Sequence, residues 1–192
     1  MDIDLKIIIN IFTVIDSELY LLVKNNNELI EINCLDDLDK FCTNYIKKNI
    51  DILDLNLNQY YTFSEKKNSL NLKVLYIDII NLDNIKLNNK FKFVKLDKFN
   101  DNKYVIKSVE YLKQKIVLSS TIKKLYPEEF VLPEIQKLYE NLFNKKYDRR
   151  NFRKKLIKLD IIEGLDKVSL KRNGRPAKLY KFKDMKDEIV LI

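Results

Sequence analysis

Hydrophobic positions follow two different periods along the chain, and the change comes near residue 102. Before it, β-branched runs at residues 7–14 and 19–23 flank Asp16-Ser17 and read as two strands joined by a turn. From Leu35 the apolar positions Leu35, Leu38, Phe41 or Cys42, and Tyr45 fall at helical spacing, with Asn33 or Asp36 available as a cap. Residues 59–63 and 72–80 are strong strand candidates around a polar turn at 64–68, and 91–96 is a further strand. This half reads as a mixed sheet with one helix.

Beyond residue 102 the pattern turns helical. Residues 102–115 space Tyr104, Val109, Leu112 and Ile116 as a helix does, and 119–125 reads as a shorter one stopped before Pro127. Pro133 opens a helix whose Ile135, Leu138, Tyr139 and Leu142 form one apolar stripe. Asp148 is placed to cap another, with Phe152, Leu156 and Leu159 buried and Tyr147 stapled onto Phe152. Short strands at 167–170 and 178–182 flank a turn over 171–176. Helices followed by a two-stranded hairpin predict a winged helix-turn-helix. The fold class expected is therefore α+β: a mixed-sheet domain over 1–100, then a linker helix and winged helix over 101–192.

Composition sharpens this division. Of 192 residues, 46% are apolar, enough to bury a sizeable core. The net charge of +8 is unevenly spread: residues 1–110 hold 15 lysines against 17 acids, residues 111–192 hold 21 basic residues against 11 acids. Such asymmetry points to a polyanion partner for the second half. Lys, Asn and Ile together supply 76 residues, yet all five arginines lie between Arg149 and Arg175, and both glycines, Gly164 and Gly174, lie nearby. Arginine is concentrated where planar hydrogen bonding has a use. The chain has no histidine and only Cys34 and Cys42, which excludes Ser-His and Cys-His nucleophile pairs and a four-ligand zinc site. No catalytic residue, metal site or cofactor is expected. No apolar run approaches a membrane span and no secretory leader is evident, so a cytoplasmic protein without membrane association is expected.

The candidate chemistry is nucleic-acid recognition. On the helix begun by Asp148, 100° per residue sets Arg150 and Lys154 nearly opposite the core-facing Phe152, with Asn151 and Arg153 on the flanks. Arg pairs bidentately with guanine and Asn with adenine, so Arg149, Arg150, Asn151 and Arg153 suit base readout in a major groove. Lys154, Lys155 and Lys158 suit phosphates. Arg172, Asn173, Gly174 and Arg175 form a wing tip for the minor groove or flanking phosphates, with Lys178 on the next strand. Residues 143–183 hold 15 basic residues against 4 acids, one electropositive surface.

Three segments carry a resemblance: Glu129-Phe130-Val131-Leu132-Pro133-Glu134-Ile135-Gln136-Lys137-Leu138-Tyr139-Glu140, then Asp148-Arg149-Arg150-Asn151-Phe152-Arg153-Lys154-Lys155-Leu156, then Gly174-Arg175-Pro176-Ala177-Lys178-Leu179-Tyr180. Together they resemble the C-terminal winged helix of the Nudix-related transcriptional regulators of NAD metabolism and their ADP-ribose pyrophosphatase-like relatives. The first half, with Gln59-Tyr60-Tyr61-Thr62-Phe63, is more loosely similar to a Nudix-like domain. The resemblance implies a homodimer on double-stranded DNA with a palindromic operator, and ADP-ribose or a related nucleotide as effector. An active Nudix site uses a glycine-bounded loop–helix–loop with several Glu and an Arg around divalent metal. Here the corresponding helix, 35–50, carries Lys47 and Lys48 where carboxylates are expected, and no glycine precedes Gly164. Ammonium groups repel hard cations. The expectation is a DNA-binding regulator with a non-catalytic Nudix-like sensor or dimerisation domain. Its rivals are a Nudix pyrophosphatase using Asp36, Asp37 and Asp39, and a winged helix that docks a protein partner.

Overall fold

A computed structural model describes residues 3–34, 37–66, 69–118, 120–169 and 176–183. The chain divides into two units, residues 1–13 with 20–111 and residues 14–19 with 112–192.

The first unit is built on β1 (Ile3–Ile15), β2 (Glu18–Lys24) and β3 (Ile30–Asn33), followed by α1 (Leu38–Asn49). Then come β4 (Asp51–Ile52), β5 (Asn58–Lys66), β6 (Leu70–Ile79), β7 (Ile85–Lys86) and β8 (Phe91–Lys95). The main sheet runs β5-β6-β1-β2-β8, with β3 also on β1 and β4 paired to β7 apart from it. It is mixed: β1 and β6 are parallel, Ile7 opposite Val74 and Ile9 opposite Tyr76, whereas β3, β5 and β8 pair antiparallel. Asp16 and Ser17 both have positive φ (52° and 65°), the conformation that a tight two-residue hairpin requires. Alternation along β1 sends Ile7, Ile9 and Ile11 to one face, where they pack with Cys42, Ile46 and Tyr76 beneath α1. The other parity brings Asn10 to the helix α2 (Lys103–Leu118), where its amide donates to Ser108 Oγ at 2.6 Å. Ser108 in turn donates to Tyr104 O at 2.8 Å and bonds the Tyr60 hydroxyl.

Several boundaries differ from the sequence expectation. α1 starts at Leu38, not Leu35, because Asp37 takes the cap, its carboxylate accepting from Lys40 N at 3.1 Å. Three closely spaced aspartates make the cap ambiguous in sequence. The β5–β6 hairpin extends through residues 64–66, read as turn, since Glu65 and Lys66 pair with Asn71 and Leu70. Cys34 and Cys42 are buried, and desolvation pushes the Cys42 thiol up to about 12.

The second unit holds the end of α2, a 3-10 turn at Ser120–Leu125 where a short helix was expected, and β9 (Phe130–Val131). It continues with α3 (Leu132–Phe143), α4 (Arg149–Lys158), β10 (Ile162–Ser169) and β11 (Ala177–Phe182). The strands pair β10-β11-β9, all antiparallel. Phe130 and Tyr180 sit opposite each other and Phe130 packs on Phe182 with centroids 4.5 Å apart, anchoring the small sheet in the core. β10 starts five residues earlier than the expected 167, and an irregularity between Gly164 and Val168 interrupts its pairing. The irregular pairing obscures the strand period in the sequence.

Candidate nucleic-acid interface

The arrangement β9-α3-α4-β10-β11 is a helix-turn-helix with a strand pair behind it. Pro133 opens α3, whose Ile135, Leu138, Tyr139 and Leu142 are buried, and Asn144 ends it in the left-handed region (φ 47°, ψ 46°). The turn into α4 is clamped by two α3 side chains. Glu140 Oε1 accepts from Tyr147 N at 3.0 Å, and Gln136 Nε2 donates to both Tyr147 O (2.9 Å) and Glu140 Oε1 (3.0 Å). These bonds, with Lys146 at 3.2 Å, hold the Glu140 carboxyl down at about 2, the Tyr147 backbone amide being the main cause. The sequence gives no local sign of this clamp, because its partners lie seven and eleven residues apart.

α4 then starts where its local chemistry directs. Asp148 Oδ1 accepts from Asn151 N at 2.8 Å, satisfying one of the orphan donors of the first turn. Tyr147 packs on Phe152 (centroids 5.6 Å), and Phe152 meets Tyr139 edge-on at 5.6 Å, fixing the entry angle of the helix. Phe152 and Leu156 are buried; Arg149, Arg150, Asn151, Arg153, Lys154, Lys155 and Lys158 are exposed. No carboxylate pairs with these cations among the described residues. Other lysines of the unit are engaged: Lys146 with Glu140, Lys167 with Glu129, Lys181 with Glu163 and Lys183 with Asp160. The unpaired cations therefore gather on one helix face.

The structure divides the expected readers. Arg149 and Arg153, four residues apart, lie on one side of α4 and line a cleft of about 370 Å³ with Lys178 of β11, Pro133 of α3 and Pro176. Arg150 and Asn151 do not line it. Lys178 is exposed and extends beside Gly164, where an added Cβ would lie 2.7 Å from its Cε. The wing-tip residues Arg172, Asn173, Gly174 and Arg175 lie outside the described residues, as does Asp36.

In the first unit, Asp39 accepts from the Tyr76 hydroxyl and Asp37 caps α1, its carboxyl held low chiefly by the Lys40 amide. Lys47 and Lys48 are exposed at the last turn of that helix. Among the described residues, no group of three His, Cys, Asp or Glu side chains is arranged to hold a metal ion. A cavity of about 520 Å³ is lined by Lys6, Lys24, Asn33, Asn102, Phe99 and Tyr104 together with Glu28 and Glu31. Glu31 bonds Lys6 at 3.3 Å and Lys73 at 3.2 Å. Among the described residues, no helix is long and apolar enough to cross a membrane.

Comparison with known proteins agrees with this geometry. Residues 122–182 match the family described as the NrtR DNA-binding winged helix domain. No curated protein matches the chain. Among solved structures, Shewanella oneidensis NrtR complexed with a 27mer DNA is similar at TM-score 0.73 and 21% identity, covering 93% of each chain. Shewanella oneidensis NrtR solved alone gives 0.70 and 23%, over 93% of this chain and 94% of that one. A MutT/nudix family protein from Enterococcus faecalis gives 0.67 and 14%, over 95% and 87%. Residues 122–182 thus form a winged helix domain of the NrtR DNA-binding family, in a chain that has the fold of this Nudix-related regulator.

Proposed function

We propose that the protein is a DNA-binding transcriptional regulator, of NAD or related nucleotide metabolism, whose Nudix-like unit senses or dimerises and does not hydrolyse. The observation that carries this reading is the first turn of α4, with exposed cations that no carboxylate among the described residues pairs. The second helix of a helix-turn-helix presents these positions to base edges. Arg150 and Asn151 read bases, Lys154, Lys155 and Lys158 neutralise phosphates, and the wing residues 172–175 add contacts beside them. The domain division places the reader in 101–192 and the Nudix-like part in 1–100. A homodimer on a two-fold operator follows from the likeness to NrtR, with half-sites about one helical turn or a multiple of it apart.

Two features support the non-catalytic part. α1 carries ammonium groups, Lys47 and Lys48, at the end where a Nudix hydrolase is expected to place metal-binding carboxylates, and its aspartates are engaged in capping and with Tyr76. The 520 Å³ cavity combines lysines, amides and two aromatic rings, which suits an anionic nucleotide such as ADP-ribose as an effector.

The test is selection of duplexes from random or genomic DNA, followed by titration across salt with and without ADP-ribose. Arg150→Ala is expected to cost about 1–3 kcal/mol on the selected site and to relax base preference. Lys154→Ala should lower the salt slope by about one phosphate contact with preference unchanged. Equal losses on every sequence for Arg150→Ala argue against direct readout. Metal-dependent turnover of ADP-ribose overturns the non-catalytic assignment, and the absence of any selected DNA favours a protein partner.

A further inference from the structure

The cleft lined by Arg149, Arg153 and Lys178 brings together cations from α4 and β11 above a floor of Pro133, Phe152 and Tyr180. We propose that it seats one sugar–phosphate unit of the duplex backbone, so that Arg149 and Arg153 set the register of the helix and leave base reading to Arg150 and Asn151. This rests on the DNA-binding reading above.

Four observations converge on an external anion. The three cations have no carboxylate partner among the described residues, although Lys146, Lys167 and Lys181 of the same unit do. The amide of Gln136, which also lines the cleft, is spent on Glu140 and Tyr147, so no neutral donor from that side answers them. α3 opens at the same cleft with Leu132 and Pro133 and has no side-chain cap, so its dipole adds positive potential. Glu134, in that first turn, is the acid nearest in sequence, and it does not line the cleft.

Shape selects the ligand. A guanidinium pair offers the forked donors that phosphate oxygens accept, while the proline and aromatic floor suits the apolar edge of a deoxyribose. A volume of about 370 Å³ admits more than a bare ion. The side of α4 matters too: Arg150 lies nearly opposite Phe152, whereas Arg149 and Arg153 lie toward the wing strand.

The full chain is titrated with its selected duplex over a range of salt, as wild type, Arg153→Gln, Lys178→Gln and Arg153→Lys. Each Gln variant is expected to lower the slope of log K against log salt by about 0.9 and to weaken all sequences alike. Arg153→Lys keeps the slope. A scan of single neutral methylphosphonate linkages should find one position that weakens wild type tenfold or more and leaves Arg153→Gln unaffected. An unchanged slope in the Gln variants, or loss of discrimination at one base pair in Arg153→Gln, overturns the assignment while the DNA reading stands. Failure of wild type to bind any duplex at low salt overturns both.

Discussion

Helices α1 and α4 share a plan and differ in where they carry charge. Each is entered through an aspartate whose side chain caps the first turn, and each buries a short apolar stripe, Cys42 and Ile46 in one and Phe152 and Leu156 in the other. α1 follows the dipole, with Asp39 in its first turn and Lys47 and Lys48 in its last. α4 opposes it: Arg149 and Arg150 occupy the first two positions and no acid stands in the first turn. Cations there cost helix stability. The first arrangement is what a helix adopts for its own sake. The second needs an outside anion to account for it, and the contrast locates function in α4 without reference to any ligand.

The largest expected effect removes the support that lets α4 tolerate its charges. Phe152→Ala deletes a buried ring packed on both Tyr139 and Tyr147, and should destabilise the winged helix by about 3–5 kcal/mol. Thermal melting measures the loss, with DNA binding abolished alongside. Asp148→Ala should cost about 0.5–2 kcal/mol by equilibrium unfolding, because the cap is the single favourable charge at that end. Arg150→Glu sharpens the comparison most, since its two effects have opposite signs. Relieving the dipole should stabilise the helix by about 0.3–1 kcal/mol while duplex binding disappears. A less stable variant removes the claim that these cations sit there at a cost.

The smallest effect at neutral pH, none, becomes visible in acid. Glu140 is held at about 2 in the folded chain against an ordinary value of 4.5. Its contribution is complete above about 4.5 and is lost as pH falls toward 2. Glu140→Gln should flatten that part of the stability profile. An acid limb identical to wild type shows that the turn is held by other means.

Local signals were the legible ones. Asp148, Tyr147, Phe152 and Pro133 announce α3 and α4 within a few residues of themselves, and the structure places each where capping, stapling and helix entry require. Pairings distant in sequence were not. The parallel match of β1 with β6 joins residues about 67 apart, and β3 and β9 are too short to show a period. The same holds at the site. Exposure of Arg149, Arg150, Asn151 and Arg153 follows from helical geometry alone, yet their division between the cleft and the outer face depends on β11 packing alongside α4. Gln136 and Glu140 look like ordinary surface residues of an amphipathic helix until Tyr147 is seen between them.

Because that grip closes on main-chain atoms of Tyr147, it is indifferent to the side chains at 145, 146, 150 and 151. The pose of the reading helix is therefore decoupled from the letters it reads. Exchanging exposed residues of α4 should redirect the preferred duplex without remodelling the scaffold, whereas a single inserted residue between Asn144 and Tyr147 should disable every such variant alike.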